Sequence, residues 1–168
     1  VWWGYGQKIG SHYPTVLKEY VDMNDRYPYD PEKAKELLSQ AGYQDGLTLE
    51  MYLPKSYPAY VSAGQVIADS LKEVGITCNI TIVEWAAWLS YNGRNYDLTV
   101  VGHTGRLDPY VLLARYQSDS SENYFNYSNE EVDQLLADYK SETDEDKRTE
   151  IVQRVQEILA QDVPAYYI

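Results

Sequence analysis

Three consecutive apolar segments constrain the fold of this chain more than any other feature of its sequence. Residues 47–53 and 76–83 alternate apolar and polar side chains, and this period of two predicts strands. Between them, residues 59–74 carry apolar side chains at helical spacing, and Gly75 closes that segment. A strand, a helix and a strand within about 35 residues predict a right-handed βαβ unit with two parallel strands.

Helix signals flank this unit on both sides. Asp30 and Pro31 predict the start of a helix that ends at Gly42, because aspartate caps helices and proline suits their first turn. Short helices are expected at residues 84–91 and 109–116. A mostly parallel sheet would therefore have helices available to cover it.

The carboxyl-terminal part is also expected to be helical. Ser128 and Glu131 form a capping-box pattern for one helix, and a second helix is expected to start at Thr143 with acidic residues in its first turn. Residues 164–168 resemble the start of a strand. Together the elements predict an α/β fold, a small and mostly parallel mixed sheet flanked by helices, in a single domain over residues 1–168.

The stretch from residue 96 to residue 113 is the predicted functional segment. Residues 96–101 predict a buried strand, Gly102 and Gly105 loosen the backbone after it, and Asp108 with Pro109 starts a helix. In open α/β sheets, ligands bind at the carboxyl ends of the strands. The loop at this end carries three polar side chains: His103, Thr104 and Arg106.

Composition excludes several classes of function. The formal net charge of −12 disfavours nucleic acid and anionic membrane surfaces, and no apolar stretch is long enough to span a membrane. Cys78 is the only cysteine, so an internal disulfide and a thiolate metal cluster are not expected. It alternates with Ile80 and Ile82, which predicts an inward-facing strand residue. No cofactor or metal site is indicated.

Several motifs follow one another in an order that resembles the extracellular solute-binding proteins of family 5, the receptors of peptide and nickel ABC importers. The two most specific segments are DPEKAKELLSQAG, from Asp30, and NYSNEEVDQLL, from Asn126. The remaining segments match by order and spacing and are LKEVGI (71–76), EWAAWL (84–89), YDLTVVGHTGRLDP (96–109) and DVPAYYI (162–168).

This resemblance implies one lobe of a type II periplasmic-binding-protein fold, specifically the central part of the second lobe of a two-lobe receptor. Such a receptor captures a peptide or a similar small solute by closure of its lobes and presents it to an ABC permease. The expected location is extracytoplasmic, either periplasmic or lipid-anchored at the cell surface. The protein would bind its ligand and would not be an enzyme.

The resemblance also implies ligand-binding residues: Trp85, Gly102, His103, Thr104 and Arg106. Trp85 lies where the family places an aromatic side chain near the cleft, and the backbone at 102–104 resembles a segment that pairs with bound peptide. Two positions depart from the pattern. His103 stands where a tryptophan is usual, and Arg106 stands near an aspartate that pairs with the α-amino group of peptides. A cation there would favour a carboxylate.

Alternatives remain open at this point. An oligosaccharide would suit the 18 tyrosines and 4 tryptophans, and a nickel chelate is another ligand of this family. His103 could also be a turn histidine that faces solvent, and Arg106 could form a local salt bridge with Asp108. A glycoside hydrolase remains as the enzyme alternative, because acidic residues are plentiful, but they cluster where helix capping explains them.

Overall fold

A computed structural model describes residues 4–91, 96–104, 106 and 108–168 of the chain. Gly105, which was expected to loosen the loop after the third strand, lies outside the described residues. The chain divides into two compact units, here called the sheet unit (residues 29–102) and the helical unit (residues 4–28 and 103–168). A single domain over the whole chain therefore stays a prediction. In the described part, no helix is long and apolar enough to cross a membrane.

The sheet unit is built on the predicted βαβ motif. Its elements are α1 (Pro31–Gln40), β1 (Leu47–Pro54), α2 (Pro58–Lys72), β2 (Ile76–Val83), α3 (Trp85–Tyr91) and β3 (Leu98–Thr99). Described strands form one sheet in the order β2-β1-β3, and both pairings are parallel. Leu47 pairs with Ile76, and the register continues without a break to Pro54 and Val83. The predicted α/β class and the parallel strand pair are confirmed.

The third strand is much shorter than the predicted 96–101, and side chains at both of its ends add hydrogen bonds to β1. The Asp97 carboxylate accepts a hydrogen bond from the backbone N–H of Glu50 at 2.8 Å. The Thr99 hydroxyl donates to the carbonyl oxygen of Tyr52 at 2.7 Å. The backbone N–H of Asp97 also donates to the carbonyl oxygen of Glu50 at 2.9 Å, and the regular ladder comprises Leu98 and Thr99.

The core of the sheet unit is small. Its buried apolar side chains include Met51, Leu53, Ala63 and Trp88. A Cβ atom added to Gly64 would lie 2.5 Å from Cδ1 of Leu53, so this glycine lets α2 approach the sheet closely. Ile82, predicted to point inward, is 48% exposed, since it belongs to the edge strand β2 and is covered only in part.

The helical unit combines an irregular amino-terminal segment with short and long helices. Its regular elements are α4 (Pro109–Leu113), a single 3-10 turn (Ala114–Tyr116), α5 (Glu130–Ser141) and α6 (Glu145–Asp162). The predicted aspartate–proline start of α4 is present, because the Asp108 side chain accepts from the backbone N–H of Tyr110 at 2.9 Å. The core is contiguous and consists of Tyr13, Leu112, Leu113, Tyr116, Val132, Leu136, Tyr139, Val152, Val155, Ile158 and Leu159.

Three boundaries in the helical unit differ from the predictions. Asn129 caps α5, and its side chain accepts from two backbone N–H groups, whereas the Ser128 hydroxyl bonds Ser118 instead. Helix α6 begins two residues after Thr143, where Asp144 provides the cap. Residues 164–168 form no strand, and the chain leaves α6 through Val163 in the left-handed region, with φ of 52°.

Candidate functional site

Two predicted site residues lie at the carboxyl edge of the parallel sheet. Trp85 begins α3 directly after β2 ends at Val83, and Gly102 follows β3 by three residues. In a parallel sheet the carboxyl ends of neighbouring strands meet at one edge, which is where ligands bind in open α/β folds. The sheet unit therefore presents both residues at the edge that the sequence predicted.

Trp85 belongs to an aromatic cluster, defined here as Tyr57, Tyr60, Trp85 and Trp88. Trp85 stacks on Trp88 with ring centroids 5.0 Å apart and meets Tyr57 edge-on at 5.2 Å. Tyr57 in turn stacks on Tyr60 at 4.9 Å. Trp88 is buried, whereas Tyr57 is 42% exposed, so the cluster grades from the core to the surface.

A hydrogen-bonded chain ties the cluster to the sheet. The indole Nε1 of Trp88 donates to the Thr99 hydroxyl at 2.9 Å, and that hydroxyl donates onward to a carbonyl of β1. Sequence reasoning singled out Trp85 but not Tyr57, Tyr60 or Trp88. The signal available was the recurrence of aromatic side chains three residues apart, at 57 and 60 and at 85 and 88, which places each pair on one helical face.

Gly102 is in close contact with this cluster. A Cβ atom at this position would lie 2.4 Å from the hydroxyl oxygen of Tyr60. Any larger residue would displace that ring, so a glycine allows the end of the third strand to approach the aromatic cluster. The sequence had suggested backbone freedom and a ligand contact for Gly102, but not its approach to Tyr60.

His103 lies in the helical unit and is half-buried. Its Nδ1 atom is within hydrogen-bond distance of the Nη1 atom of Arg115. The Nε atom of Arg115 pairs with the Glu122 carboxylate at 2.8 Å, and the arginine side chain is only 16% exposed. Burial, followed by the positive charge of Arg115, lowers the pKa of His103 to about 4. The alternative of a turn histidine that faces solvent fits only in part, because the ring is half-buried and contacts Arg115.

The ring of His12 packs beside that of His103. Its ring centroid is 6.2 Å from that of His103, and Tyr116 and Tyr167 surround it edge-on. Burial, followed by His103 and Arg115, lowers the pKa of His12 to about 3. Both imidazoles are therefore neutral near pH 7. Among the described residues, no group of three or more metal-ligating side chains comes together.

Thr104 and Arg106 are exposed in the helical unit. None of the ion pairs between described residues joins Arg106 to Asp108. The Asp108 carboxylate accepts from the backbone N–H of Tyr110 and, at 3.1 Å, from the hydroxyl of Tyr139. The five predicted ligand residues thus fall in two units, Trp85 and Gly102 in one and His103, Thr104 and Arg106 in the other. Their membership of one site stays a prediction.

Comparison with known proteins identifies relatives along almost the whole chain. The model of the family described as bacterial extracellular solute-binding proteins, family 5 middle, matches residues 1–153. The chain is 30% identical over 173 aligned residues to di/tripeptide-binding protein 1 of Pseudomonas aeruginosa, covering 98% of this chain and 32% of that protein. The chain therefore spans about one third of the length of this curated relative.

Solved structures of binding proteins also resemble this chain. An ABC transporter-associated periplasmic binding protein, DppA of Helicobacter pylori in complex with the peptide STSA, superposes with a TM-score of 0.83 at 28% identity, over 98% of this chain and 33% of that one. The NikZ protein of Campylobacter jejuni in complex with Ni(L-His) gives a TM-score of 0.76 at 21% identity, over 84% and 32%. The second likeness shows the fold alone. The type II periplasmic-binding-protein fold predicted from the sequence is confirmed.

Proposed function

We infer the function of this chain from its family, since it belongs to the bacterial extracellular solute-binding proteins of family 5. We propose that it forms the central part of the second lobe of a two-lobe receptor, which captures peptides and delivers them to the permease of an ABC importer. The observation that carries this proposal is the relative in complex with a peptide, whose structure covers 98% of this chain at 28% identity. The receptor would bind its solute without converting it.

The candidate edge of the sheet offers two kinds of contact to a peptide. The backbone at residues 102–104 follows β3 in the chain and is proposed to pair with an extended ligand, which gives affinity without reading side chains. The half-exposed ring of Tyr57 and the neighbouring Trp85 offer apolar contact for ligand side chains. Closure of a second lobe over this edge would bury the ligand. The proposed location is outside the cytoplasmic membrane, in a periplasm or at a cell surface.

Arg106 is proposed to bind the ligand's carboxylate. Its side chain is exposed, and no ion pair with a described carboxylate engages it. A guanidinium forms bidentate bonds with a carboxylate and repels an ammonium group. Peptides with a free carboxyl terminus should therefore bind better than amidated peptides of the same sequence.

The test is a calorimetric titration of the intact protein that carries this chain. Di- to tetrapeptides are compared with their amidated and N-acetylated forms, with oligosaccharides and with a nickel–histidine chelate. We expect peptides to bind, amidation to weaken binding about tenfold, and Arg106→Ala to abolish that difference. Arg154→Ala is the matched control, because Arg154 is an exposed arginine paired with Glu131. Binding of the nickel chelate alone would contradict the peptide proposal.

An oligosaccharide is the second candidate ligand, favoured by the aromatic cluster, because sugars stack on exposed aromatic faces. The same titrations separate the two. Saturable binding of sugars alone, with quenching of tryptophan fluorescence, would replace the peptide proposal with a sugar receptor of the same family.

A further inference from the structure

Arg115 occupies an unusual position between a histidine and a carboxylate. Its Nη1 atom contacts Nδ1 of His103, and its Nε atom pairs with Glu122 at 2.8 Å. The guanidinium is largely buried, and Glu122 holds its orientation from the other side. A guanidinium carries donors only and has no acceptor. The nitrogen of His103 that it contacts must therefore accept, which requires a free lone pair on Nδ1.

We propose that Arg115 is a positioning residue that holds the ring of His103 as the tautomer protonated on Nε2, so that His103 meets the ligand as a hydrogen-bond donor and cannot act as a metal ligand. The contact excludes the imidazolium, which would place a second N–H against the guanidinium. This inference deepens the proposed function and rests on it only for the presence of a ligand at His103.

The competing interpretation is a metal ion held between the two histidines. The rings of His12 and His103 lie 6.2 Å apart, and Nε2 of His12 is buried with no partner found among the described residues. Metal coordination by His103 would need a lone pair on Nε2, because Nδ1 is engaged by Arg115. With Nδ1 accepting, the proton of the neutral ring is on Nε2. The nearby guanidinium charge also repels a divalent cation.

The groups that face His103 support the same protonation state. Arg115 and burial disfavour a positive charge on the ring, whereas the Glu122 carboxylate favours it and has the smallest influence. His12, on the amino-terminal segment, is neutral near pH 7 because its own pKa is lowered to about 3. A ligand that meets His103 at neutral pH therefore meets an uncharged N–H group, which suits a carbonyl or carboxylate oxygen.

The first test is long-range 1H–15N correlation NMR of the intact protein labelled with 15N-histidine, without ligand. His103→Gln identifies the resonances. We expect the Nε2–H tautomer alone in the wild type and a His103 pKa near 4. Arg115→Met keeps the aliphatic length but removes the donor, so both tautomers should appear and the pKa should rise by about one unit or more. Arg154→Met is the control and should change neither.

A protonated Nδ1 in wild-type His103, or a His103 pKa unaltered by Arg115→Met, would overturn the proposal. The wild-type spectrum decides the question even if the variant does not fold. The second test is a titration with Ni²⁺ alone: His103→Gln should change its affinity by less than about twofold, and a tenfold loss would identify His103 as a metal ligand and refute the proposal. Neither test uses a transported solute, so failure here is distinct from failure of the peptide titration.

Discussion

The two compact units of this chain are stabilised in different ways. The sheet unit fully buries few large side chains, and the eight-residue ladder between β1 and β2 is its most regular feature. The helical unit has a contiguous core in which α5 and α6 contribute buried side chains along their lengths. Several large apolar side chains of the sheet unit stay substantially exposed: Leu37, Val66, Ile82 and Leu89.

This contrast between the units indicates where a ligand contact can be formed at little cost to stability. The aromatic cluster belongs to the unit with the smaller core, and there Tyr57 keeps 42% of its surface exposed. His12 and His103 belong to the unit with the larger core, where burial suppresses the positive charge of both rings. A loosely buried edge suits direct contact with a ligand, whereas a packed unit suits fixed protonation states.

The largest expected effect comes from removing a core side chain of the helical unit. Leu136 is fully buried, so Leu136→Ala should lower the free energy of unfolding by about 2–5 kcal/mol through lost burial and a residual cavity. Leu37→Ala is the matched control in the sheet unit, where the side chain is 52% exposed, and should cost less than about 1 kcal/mol. Urea unfolding measures both, and equal losses would break the comparison.

Acidification should destabilise the helical unit selectively. Unfolded His12 binds a proton near pH 6.5 and folded His12 only near pH 3, so its contribution is present above about pH 6.5 and is lost as the pH falls. Between pH 7 and pH 5 the loss from His12 should be about 2 kcal/mol, with a smaller loss from His103.

Hydrogen–deuterium exchange at the two pH values, corrected for the intrinsic rate, locates this loss. Peptides of the helical unit should lose protection, and those of the sheet unit, which contains no histidine, should change less. His12→Gln should flatten the pH dependence in urea unfolding. Equal loss of protection in both units would contradict the assignment to His12.

Gly102→Ala should have an intermediate effect, because the new methyl group meets the Tyr60 hydroxyl at 2.4 Å and forces that ring to move. We expect a loss of about 1–2 kcal/mol and altered fluorescence of the neighbouring Trp85. The double variant Gly102→Ala/Tyr60→Phe removes the nearest atom and should recover part of the loss. If it recovers nothing, the Tyr60 contact is not the cause.

The smallest effect distinguishes two neighbouring candidates for the cap of α5. Asn129→Ala should cost about 1 kcal/mol, because its side chain satisfies two backbone N–H groups of the first turn. Ser128→Ala should cost less than about 0.5 kcal/mol, since its hydroxyl bonds the exposed Ser118 and not the first turn of α5. Thermal unfolding of both variants measures the difference, and the reverse order would restore Ser128 as the cap.

Much of the fold could be predicted because its signals are local. Alternation of side chains predicted β1 and β2, and aspartate–proline pairs predicted the starts of α1 and α4. The length of β3 could not be predicted, because the bonds of Asp97 and Thr99 to β1 join residues that are 47 positions apart in the sequence. The burial of Ile82 depended on strand order, which side-chain alternation does not encode.

The candidate site was predicted in outline and missed in detail. The position of Trp85 and Gly102 at the strand ends follows from element order. The partners of these residues do not: Tyr60 reaches Gly102 across 42 positions of sequence, and Arg115 reaches His103 from the turn after α4. Side chains so separated meet only after the helices have packed.

The family, the α/β class and the parallel strand pair could all be predicted without coordinates, because periodicity, caps and motif order are properties of short segments. Which side chains are charged, covered or in contact depends on the folded chain. Whether His103 is an exposed cation or a neutral donor depends on Arg115, Glu122 and burial, and these act through distance and desolvation. Neither quantity exists until the chain has folded.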